Sequence, residues 1–411
     1  MRDISPSLIS GWHECKVEDV ASSEKNALAT GPFGSAISSK YFIGCGVPVI
    51  RGSNLSADVG KRLIDSDIVF VNQEKAKEFI RSVARKGDLI FTCWGTINQI
   101  GYVDKNSKYE EYIVSNKQMK LTPDTRKANP EFLYYLFSAP DKQFEIISNG
   151  IGAAVPGFNL GQLKKITLLL PSLEEQKAIA SILSSLDDKI DLLHRQNKTL
   201  EAMAETLFRQ WFVEEAEEDW KKGTINNLIE FNPARKLTKG EIAPYLEMAA
   251  LSTDTFNPDG WYPREFSSGT KFANGDTLLA RITPCLENGK TAYVTFLEDD
   301  QVAWGSTEYI VMRPKGNLHP FFAYSLARNS DFRDYAEGCL AGSSGRQRVD
   351  VNHLKDYKIS IPSATRISSY NAFAKSITPK LHANSQQIRT LGTLRDTLLP
   401  KLMSGEVRVE H

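Results

Sequence analysis

The segment that follows Pro171 has a hydrophobic pattern with a period of 3.5 residues. From Leu173 to Phe212 the chain contains neither Gly nor Pro, and apolar residues recur at alternating steps of four and three. This spacing is typical of the seam of a coiled coil, with charged and polar residues on the other faces. Ser172 and Glu175 resemble a capping box at its start. We predict one long helix, with a seam that includes Leu183, Leu186, Ile190, Leu193, Asn197 and Leu200.

A second segment near the end of the chain has the same seam, which includes Ile377, Leu381, Asn384, Ile388 and Leu391. Arg395 occupies one seam position, and Pro379 and Pro400 are expected to bend or end this helix. Each predicted helix has one narrow apolar stripe, so each needs a partner, and the simplest partner is the other helix. We expect an antiparallel pair in which Asn197 and Asn384 lie close together and fix the register. Two separate, partly hydrated asparagines are the alternative.

The two helices belong to an internal repeat with a shift of 191 residues. Between Leu163–Leu207 and Leu354–Leu398, eleven of 45 positions are identical without a gap. Upstream the match is looser, with "NPEFLYYLFS" against "LHPFFAYSLA" and "KGDLIF" against "NGDTLL". Each half is therefore predicted to contain a globular body, a strand that ends in Pro-Ser, and a long helix. Two copies of one fold with different loops suggest two sites of one kind, although a duplication without functional meaning is the alternative.

Both globular bodies consist of short apolar strands that lead into polar loops. Examples are "GVPVIRGSNL", "GDLIFTCWGT", "LLARITP" and "AGSSGRQRVD". Arg and Lys can read guanine, Asn and Gln can read adenine, Glu can accept from cytosine, and Ser or Thr can contact phosphate. The candidate DNA-contacting residues are Ser35, Lys40, Arg51, Asn54, Thr92, Trp94, Thr96, Lys117 and Gln118 in the first body, and Arg281, Thr283, Thr307, Glu308, Ser343, Ser344, Arg346, Gln347 and Arg348 in the second. Ordinary polar surface loops remain the alternative for each.

The charge balance gives no independent argument for DNA binding. Lys+Arg and Asp+Glu both number 50 in 411 residues, whereas a DNA-binding protein that acts alone usually has an excess of basic residues. The five cysteines are scattered and contain no C-x-x-C pair, which favours reduced thiols over disulfides or a zinc site. The N-terminus lacks the apolar core of a signal peptide, and no apolar run is long enough to span a membrane. We expect a cytoplasmic protein.

Motifs of nucleotide-binding, methyltransferase and nuclease sites are absent from the sequence. "NGKT" at Asn288 has Pro284 where a phosphate-binding loop needs its first Gly. "FNPAR" at Phe231 lacks the second Pro and the aromatic residue of an amino-methyltransferase pocket, and no pair of histidines has a metal-binding spacing. These absences favour a non-catalytic chain.

At three places the sequence resembles the specificity subunits of type I restriction–modification enzymes. These are "TGPFGSAISSKY" with "GVPVIRGSNL", "LPSLEEQKAIASILSSLDDKID", and the terminal "LLPKLMSGEV". The resemblance implies an α+β fold with two similar target recognition domains, separated by two long helices that form an antiparallel coiled coil with pseudo-two-fold symmetry. The predicted domains are 1–172 (first target recognition domain), 173–213 (central spacer helix), 214–362 (second target recognition domain) and 363–411 (distal spacer helix and C-terminal tail).

The resemblance also implies a function, partners and cofactors. Each domain reads one half of a bipartite double-stranded DNA target, and the helices set the spacer and dock two methyltransferase subunits, which methylate adenine. Motor–nuclease subunits complete the enzyme. No cofactor or metal is expected in this chain, because its partners use S-adenosylmethionine, ATP and Mg²⁺. A stand-alone adenine methyltransferase or nuclease, and a scaffold that binds only proteins, are the alternatives.

Overall fold

The computed structural model describes residues 11–152, 156–216, 220–253, 255–342 and 347–409. The chain forms two compact units. The first consists of Met1–Asp191 with Thr390–His411, and the second of Leu192–Arg389. Each unit therefore contains part of both long helices. The four-part domain division drawn from the sequence stays a prediction.

The first unit contains ten strands and five short α-helices among its described residues. The strands are β1 His13–Lys16, β2 Leu28–Thr30, β3 Val47–Ile50, β4 Val69–Val71, β5 Val83–Arg85, β6 Leu89–Thr92, β7 Ile100–Tyr102, β8 Glu111–Val114, β9 Gln118–Leu121 and β10 Thr167–Leu170. The helices are α1 Val17–Val20, α2 Gln73–Glu78, α3 Pro130–Ser138, α4 Pro140–Ser148 and α5 Leu160–Lys165, and the long helix α6, Leu173–Arg209, follows them. The strands form sheets in the orders β2-β9-β6-β7, β4-β3-β8-β5 and β1-β10.

The second unit repeats this architecture. Its described strands are β11 Lys222–Thr224, β12 Ile229–Phe231, β13 Ile242–Leu246, β14 Tyr262–Glu265, β15 Thr270–Ala273, β16 Thr277–Ala280, β17 Thr291–Tyr293, β18 Val302–Gly305, β19 Tyr309–Pro314, β20 Leu340–Ala341, β21 Arg348–Val349 and β22 Lys358–Ser360. Its short helices are α7 Phe321–Arg328, α8 Ser330–Gly338 and α9 Val351–Leu354, and the long helix α10, Ala364–Met403, follows them. The sheet orders β12-β19-β16-β17, β14-β13-β18-β15 and β11-β22 match those of the first unit strand for strand. In both units the central pair of the second sheet is parallel, β3 with β8 and β13 with β18.

In each unit the largest core joins the first sheet, several short helices and the two long helices. In the first unit, Phe91 of β6 and Phe132 of α3 belong to the same cluster as Leu183 of α6 and Leu402 of α10. Helix α3 starts there because Asn129 accepts a hydrogen bond from the Phe132 N–H at 2.8 Å and Pro130 occupies the first turn. Full burial of a side chain such as Leu183 contributes about 1.5–3 kcal/mol, so the short helix anchors the long ones.

The second unit has the corresponding core. Leu279 of β16 and Phe322 of α7 pack with Phe208 of α6 and with Tyr370 and Ile377 of α10. The rings of Phe208, Phe322 and Tyr370 contact one another with centroids 5.2–6.5 Å apart. Aromatic side chains bury the largest areas per residue, so this group holds the helix pair on its unit.

Within each unit the two long helices pair in antiparallel orientation. In the second unit, Asn197 pairs with Asn384, and Phe208, eleven residues later, pairs with Tyr370, which lies earlier in α10. In the first unit, Asp187 of α6 bonds to Arg395 of α10, and Glu175, earlier in α6, bonds to Arg408, which follows the end of α10. The N-terminus of α6 is capped by Ser172, whose hydroxyl accepts from the Glu175 N–H at 3.2 Å, while the Glu175 carboxylate bonds to Arg408 rather than completing a capping box.

The seam residues predicted from the heptad pattern are buried or half-buried. Buried are Leu183, Leu193, Asn197, Ile377, Leu381 and Asn384, and half-buried are Leu186, Ile190, Leu200, Ile388 and Leu391. Neither Pro379 nor Pro400 ends the second helix, because α10 is continuous to Met403. The bend expected at these prolines stays a prediction. Pro379 lies on the exposed side, where water can satisfy the carbonyl that its missing N–H leaves without a helical partner.

Candidate nucleic-acid interface

Three backbone hydrogen bonds frame the loops at the end of β6 in the first unit. Cys93 N–H donates to Lys117 C=O at 2.7 Å, Phe158 N–H donates to Cys93 C=O at 2.8 Å, and Gly95 N–H donates to Pro156 C=O at 3.1 Å. These bonds hold the segment after β6 between the turn before β9 and the segment before α5. We call residues 31–40, 92–97 and 115–118 the first loop cluster.

The second unit has the same three bonds at corresponding positions. Arg281 N–H donates to Glu308 C=O at 2.9 Å, Val349 N–H donates to Arg281 C=O at 2.8 Å, and Thr283 N–H donates to Gln347 C=O at 3.1 Å. We call residues 281–284, 306–308 and 347–348 the second loop cluster. The two clusters therefore share one backbone frame, although Cys93 and Lys117 in the first correspond to Arg281 and Glu308 in the second.

The first loop cluster exposes five of the residues predicted from sequence to contact DNA. They are Ser35, Lys40, Trp94, Thr96 and Lys117. The Trp94 side chain is 54% exposed, and its ring packs over Gly157, where a Cβ would lie only 2.6 Å from the ring. A glycine is therefore needed beneath this indole. The exposed side chains can present hydroxyls, two ammonium groups and one aromatic face to a ligand.

Four other predicted residues of the first unit support the loops from inside. Asn54 is buried, donates to Ile64 C=O at 2.9 Å and accepts from Arg51 N–H at 3.0 Å. The half-buried Arg51 donates to Asp67 C=O at 3.1 Å. The Thr92 hydroxyl donates to Gln99 C=O at 3.3 Å, and the fully buried Gln118 accepts from the Ser115 hydroxyl. Because Asn54, Thr92 and Gln118 are buried, contact of these three with DNA would require the loops to rearrange, whereas Arg51 is only half-buried.

The second loop cluster centres on Glu308, which two guanidinium groups share. Arg348 donates from Nη2 and Nε to the carboxylate at 2.6 and 2.9 Å, and Arg281 Nε lies 3.8 Å from it. The hydrogen bonds from Arg348 lower the pKa of Glu308 below its ordinary value. One carboxylate between two arginines leaves a net positive charge at an exposed loop edge.

The remaining predicted residues of this unit surround that triad. Thr283 and Gln347 are half-buried, and the Thr283 hydroxyl accepts from Gln347 N–H at 3.2 Å. Thr307 is exposed beside Glu308. Ser343, Ser344 and Arg346 lie outside the described residues.

Sequence reasoning missed Phe33 in the first loop cluster. Its side chain is 86% exposed, the largest value among the large apolar residues of the described ranges. It lies between Pro32 and Gly34 in the segment "TGPFGSAISSKY", from which only Ser35 and Lys40 were predicted to contact DNA. The two flanking glycines, Gly31 and Gly34, were the available signal that the chain makes a tight approach there.

Across the described ranges, no group of three or more His, Cys, Asp and Glu side chains is arranged to hold a metal ion. A helix long and apolar enough to cross a membrane is likewise absent from those ranges.

Comparisons with known proteins agree with this architecture. The model of the type I restriction modification DNA specificity domain matches residues 9–202 and 217–368. The chain is 23% identical over 373 residues to the type I restriction enzyme MjaIX specificity subunit of Methanocaldococcus jannaschii, covering 83% of this chain and 82% of that protein. It is 22% identical over 407 residues to the HindI specificity subunit of Haemophilus influenzae, covering 80% of this chain and 88% of that protein.

A solved structure has the same fold. The S subunit of a type I restriction–modification system from M. genitalium superimposes with a TM-score of 0.57 at 14% identity, covering 97% of both chains. The family match occurs twice, once for each of the two similar halves. On this evidence the chain belongs to the type I restriction–modification DNA specificity family.

Proposed function

We propose that this chain is the sequence-reading subunit of a type I restriction–modification enzyme, and that each loop cluster contacts one half of a bipartite DNA target. The supporting observation is that one backbone frame, built on the same three hydrogen bonds, carries different side chains in the two units. Two recognition domains with a common fold and different base preferences need a shared backbone frame with different side chains. The frame sets the position of the loops, and the side chains determine which bases are contacted.

In the second unit, Arg348 is the leading candidate for a base contact. Its guanidinium fork is exposed, and its bond to Glu308 holds it in a defined orientation. A guanidinium can form two hydrogen bonds with the O6 and N7 atoms of guanine, and Glu308 can accept from the amino group of cytosine. In the first unit, Lys40 and Lys117 can contact phosphate or guanine, and Ser35 and Thr96 can contact phosphate.

The long helices have a separate role in this proposal. They set the unread spacer between the half-sites and dock two methyltransferase subunits, to which motor–nuclease subunits are added in the complete enzyme. The chain itself performs no catalysis and binds no cofactor, whereas its partners use S-adenosylmethionine, ATP and Mg²⁺. The adenine to be methylated leaves the base stack and enters the methyltransferase partner.

Methylome sequencing of cells that carry this chain and its partner subunits tests the reading function. Arg348→Ala should weaken or relax readout of the second half-site alone, by about 1–3 kcal/mol for each lost base contact. Lys358→Ala is the matched control, since Lys358 is an exposed basic residue on β22, outside the loop cluster. An equal loss at both half-sites would indicate an assembly defect, and a wild-type complex without any sequence preference would contradict the proposal.

The two alternatives make different predictions for the purified chain. A stand-alone enzyme would methylate or cut DNA without partner subunits, given S-adenosylmethionine or a divalent metal. A scaffold would bind the methyltransferase subunits but would give the complex no sequence-dependent affinity. Assays with and without partner subunits on the same duplex therefore separate the three functions.

A further inference from the structure

The tip of the first loop cluster presents an aromatic ring to solvent on a tightly held backbone. Gly31 N–H donates to Gln118 C=O at 2.9 Å, and the Asn116 side chain donates to Gly34 C=O at 2.9 Å, so bonds to the 115–118 turn lie on both sides of Phe33. A Cβ at Gly31 would overlap the carbonyl oxygen of Ser115, so the loop sits directly against that turn.

Apolar anchors also fix the loop at both ends. Pro32 is buried immediately before Phe33, and Ile37 is 7% exposed in the cluster that includes Val49 and Val71. The four residues between these anchors form the tip, in which Gly34 has a φ of +61°. A loop with this support loses little further freedom on binding, and the phenylalanine at its tip is 86% exposed.

The charge around Phe33 favours a polyanion over a protein surface of mixed charge. Residues 31–43 and 115–118 contain Lys40 and Lys117 and no Asp or Glu. Both lysines are exposed, and Lys117 directly follows the asparagine that bonds to Gly34. An exposed apolar side chain on segments whose only charges are basic fits duplex DNA, where phosphates flank the stacked bases.

The corresponding loop of the second unit has no such tip. Sixteen residues connect β2 to β3, whereas ten residues connect β12 to β13, and those ten contain no aromatic residue. At the start of the shorter loop, Asn232 turns back and accepts a hydrogen bond from Val311 N–H at 2.9 Å. The ring is therefore a feature of one half of the repeat.

From these observations we propose that Phe33 inserts its ring between two adjacent base pairs of the half-site that the first unit reads. This inference rests on the proposed function, because it assumes that the first loop cluster faces DNA. The inserted Phe33 ring acts as a wedge and partly unstacks one base step. The free-energy cost of unstacking depends on the sequence of that step and is lowest for flexible pyrimidine–purine steps. Phe33 thereby contributes to sequence preference without a hydrogen bond to any base.

The test uses the full chain in complex with its methyltransferase partner subunits and duplexes that carry the target found by methylome sequencing. 2-Aminopurine, a fluorescent base whose emission rises on unstacking, is placed in turn at each adenine of both half-sites except the methylated ones, with further duplexes substituted at other positions of the first half-site. Phe33→Ala is compared with Phe33→Leu, which keeps an apolar side chain of similar reach. Ile80→Ala is the matched control, because Ile80 is 68% exposed in the same unit and lies outside the loop cluster.

The wild-type complex should show raised fluorescence at one step of the first half-site. Phe33→Ala should abolish that signal and weaken binding to the target roughly 10- to 100-fold, as expected for loss of a buried phenyl group. Phe33→Leu should retain part of both effects, while Ile80→Ala and the signals in the second half-site should not change. Equal thermal midpoints of the four proteins exclude a folding defect.

Three results separate the possible outcomes. Unchanged binding and fluorescence with Phe33→Ala would overturn the wedge while leaving the reading function intact. If Phe33→Ala impairs binding of the methyltransferase subunits but leaves the fluorescence pattern unchanged, Phe33 makes a protein contact and the proposed insertion into DNA is overturned. A wild-type complex that fails to prefer its target over a scrambled duplex would overturn both the wedge and the proposed function.

Discussion

The side-chain amide of Asn384 donates a hydrogen bond to the side-chain oxygen of Asn197 at 2.8 Å, inside the helix pair of the second unit. Both residues are at most 3% exposed, and the Asn197 amide also lies 3.3 Å from the Ser385 hydroxyl. A buried polar pair among apolar seam residues lowers stability relative to an apolar pair but allows only one register, because any shift would leave both amides unpaired.

Replacing one asparagine should therefore cost more than replacing both. Asn197→Val leaves the Asn384 amide without its closest acceptor, and we expect a loss of about 1–3 kcal/mol in the free energy of unfolding. The double variant Asn197→Val/Asn384→Val should recover most of this loss, as a denaturant-based double-mutant cycle would reveal. Thr199→Val is the control, since Thr199 is an exposed polar residue on the same helix. Additive losses from the two single changes would contradict a direct coupling.

The first unit has an ion pair in its part of the helix pair. Arg395, the one basic residue at a seam position of α10, donates to Asp187 of α6 at 2.8 Å, and the Tyr135 hydroxyl donates to the same carboxylate at 2.6 Å. Arg395→Met should cost about 3–5 kcal/mol, because it leaves the carboxylate buried with only the tyrosine bond. The double variant with Asp187→Asn should be less destabilised than the single one.

The loss caused by Arg395→Met should increase with pH. Burial already raises the pKa of Asp187 above its ordinary value, against the effects of Tyr135 and Arg395. Removing the arginine raises it further, and a carboxyl group whose folded pKa is raised loses stability as rising pH ionises it. Chemical denaturation at pH 5 and pH 8 measures this difference. Lys401→Met, which removes an exposed pair with Glu406, should cost at most about 1 kcal/mol at either pH.

Glu201 gives the second unit a pH-dependent stability near neutrality. Burial raises the pKa of this carboxyl group from 4.5 to about 7, although the Tyr324 hydroxyl donates to it at 2.5 Å. Because the unfolded chain releases this proton at lower pH than the folded one, the contribution of Glu201 is most favourable below pH 4.5 and is lost as pH rises toward 7.

Glu201→Gln should therefore become more stable than the wild type as pH rises. The two proteins should have similar free energies of unfolding at pH 5, and the difference should grow to the order of 3 kcal/mol at pH 8. Denaturant unfolding at several pH values provides the measurement, and the exposed Glu174→Gln on the same helix should show no such trend. If the free energies of unfolding of the wild type and Glu201→Gln changed with pH in parallel, the raised pKa of Glu201 would be contradicted.

The proposed role of the long helices predicts the effect of an insertion. Four residues inserted near Lys198 lengthen a helix by about 6 Å and complete little more than one turn, so the apolar stripe stays nearly in phase. Since B-DNA rises about 3.4 Å per base pair, the spacer should lengthen by one or two base pairs while both half-site sequences stay the same. Methylome sequencing reads both quantities. Altered half-sites with an unchanged spacer would contradict the role of the helices in spacing.

Local patterns in the sequence were sufficient for the repeat, the two long helices and the strands that enter the loops. Seam residues such as Leu183 and Leu381 recur at a spacing that depends only on helix geometry, and the repeat at 191 residues predicted the matched sheets. Proline was a weaker guide. Proline lacks a backbone N–H in any context, but whether a helix continues through it depends on its surroundings. Pro379 lies on the exposed side of α10, and the helix continues there.

The sequence by itself determined that this chain is a tandem of two similar units with paired helices, because periodicity and self-similarity are properties of the linear order of residues. Only the tertiary structure decided which polar and aromatic side chains face outward. Gln118 and Asn54 looked suited to reading bases but are buried, whereas Phe33, which was not among the predicted contacts, projects into solvent. Arg348 and Glu308, forty residues apart in the chain, meet because Ala280 pairs with Tyr309 and Ile282 pairs with Arg348. Side-chain direction in a loop depends on contacts that are distant in sequence, and no local pattern contains them.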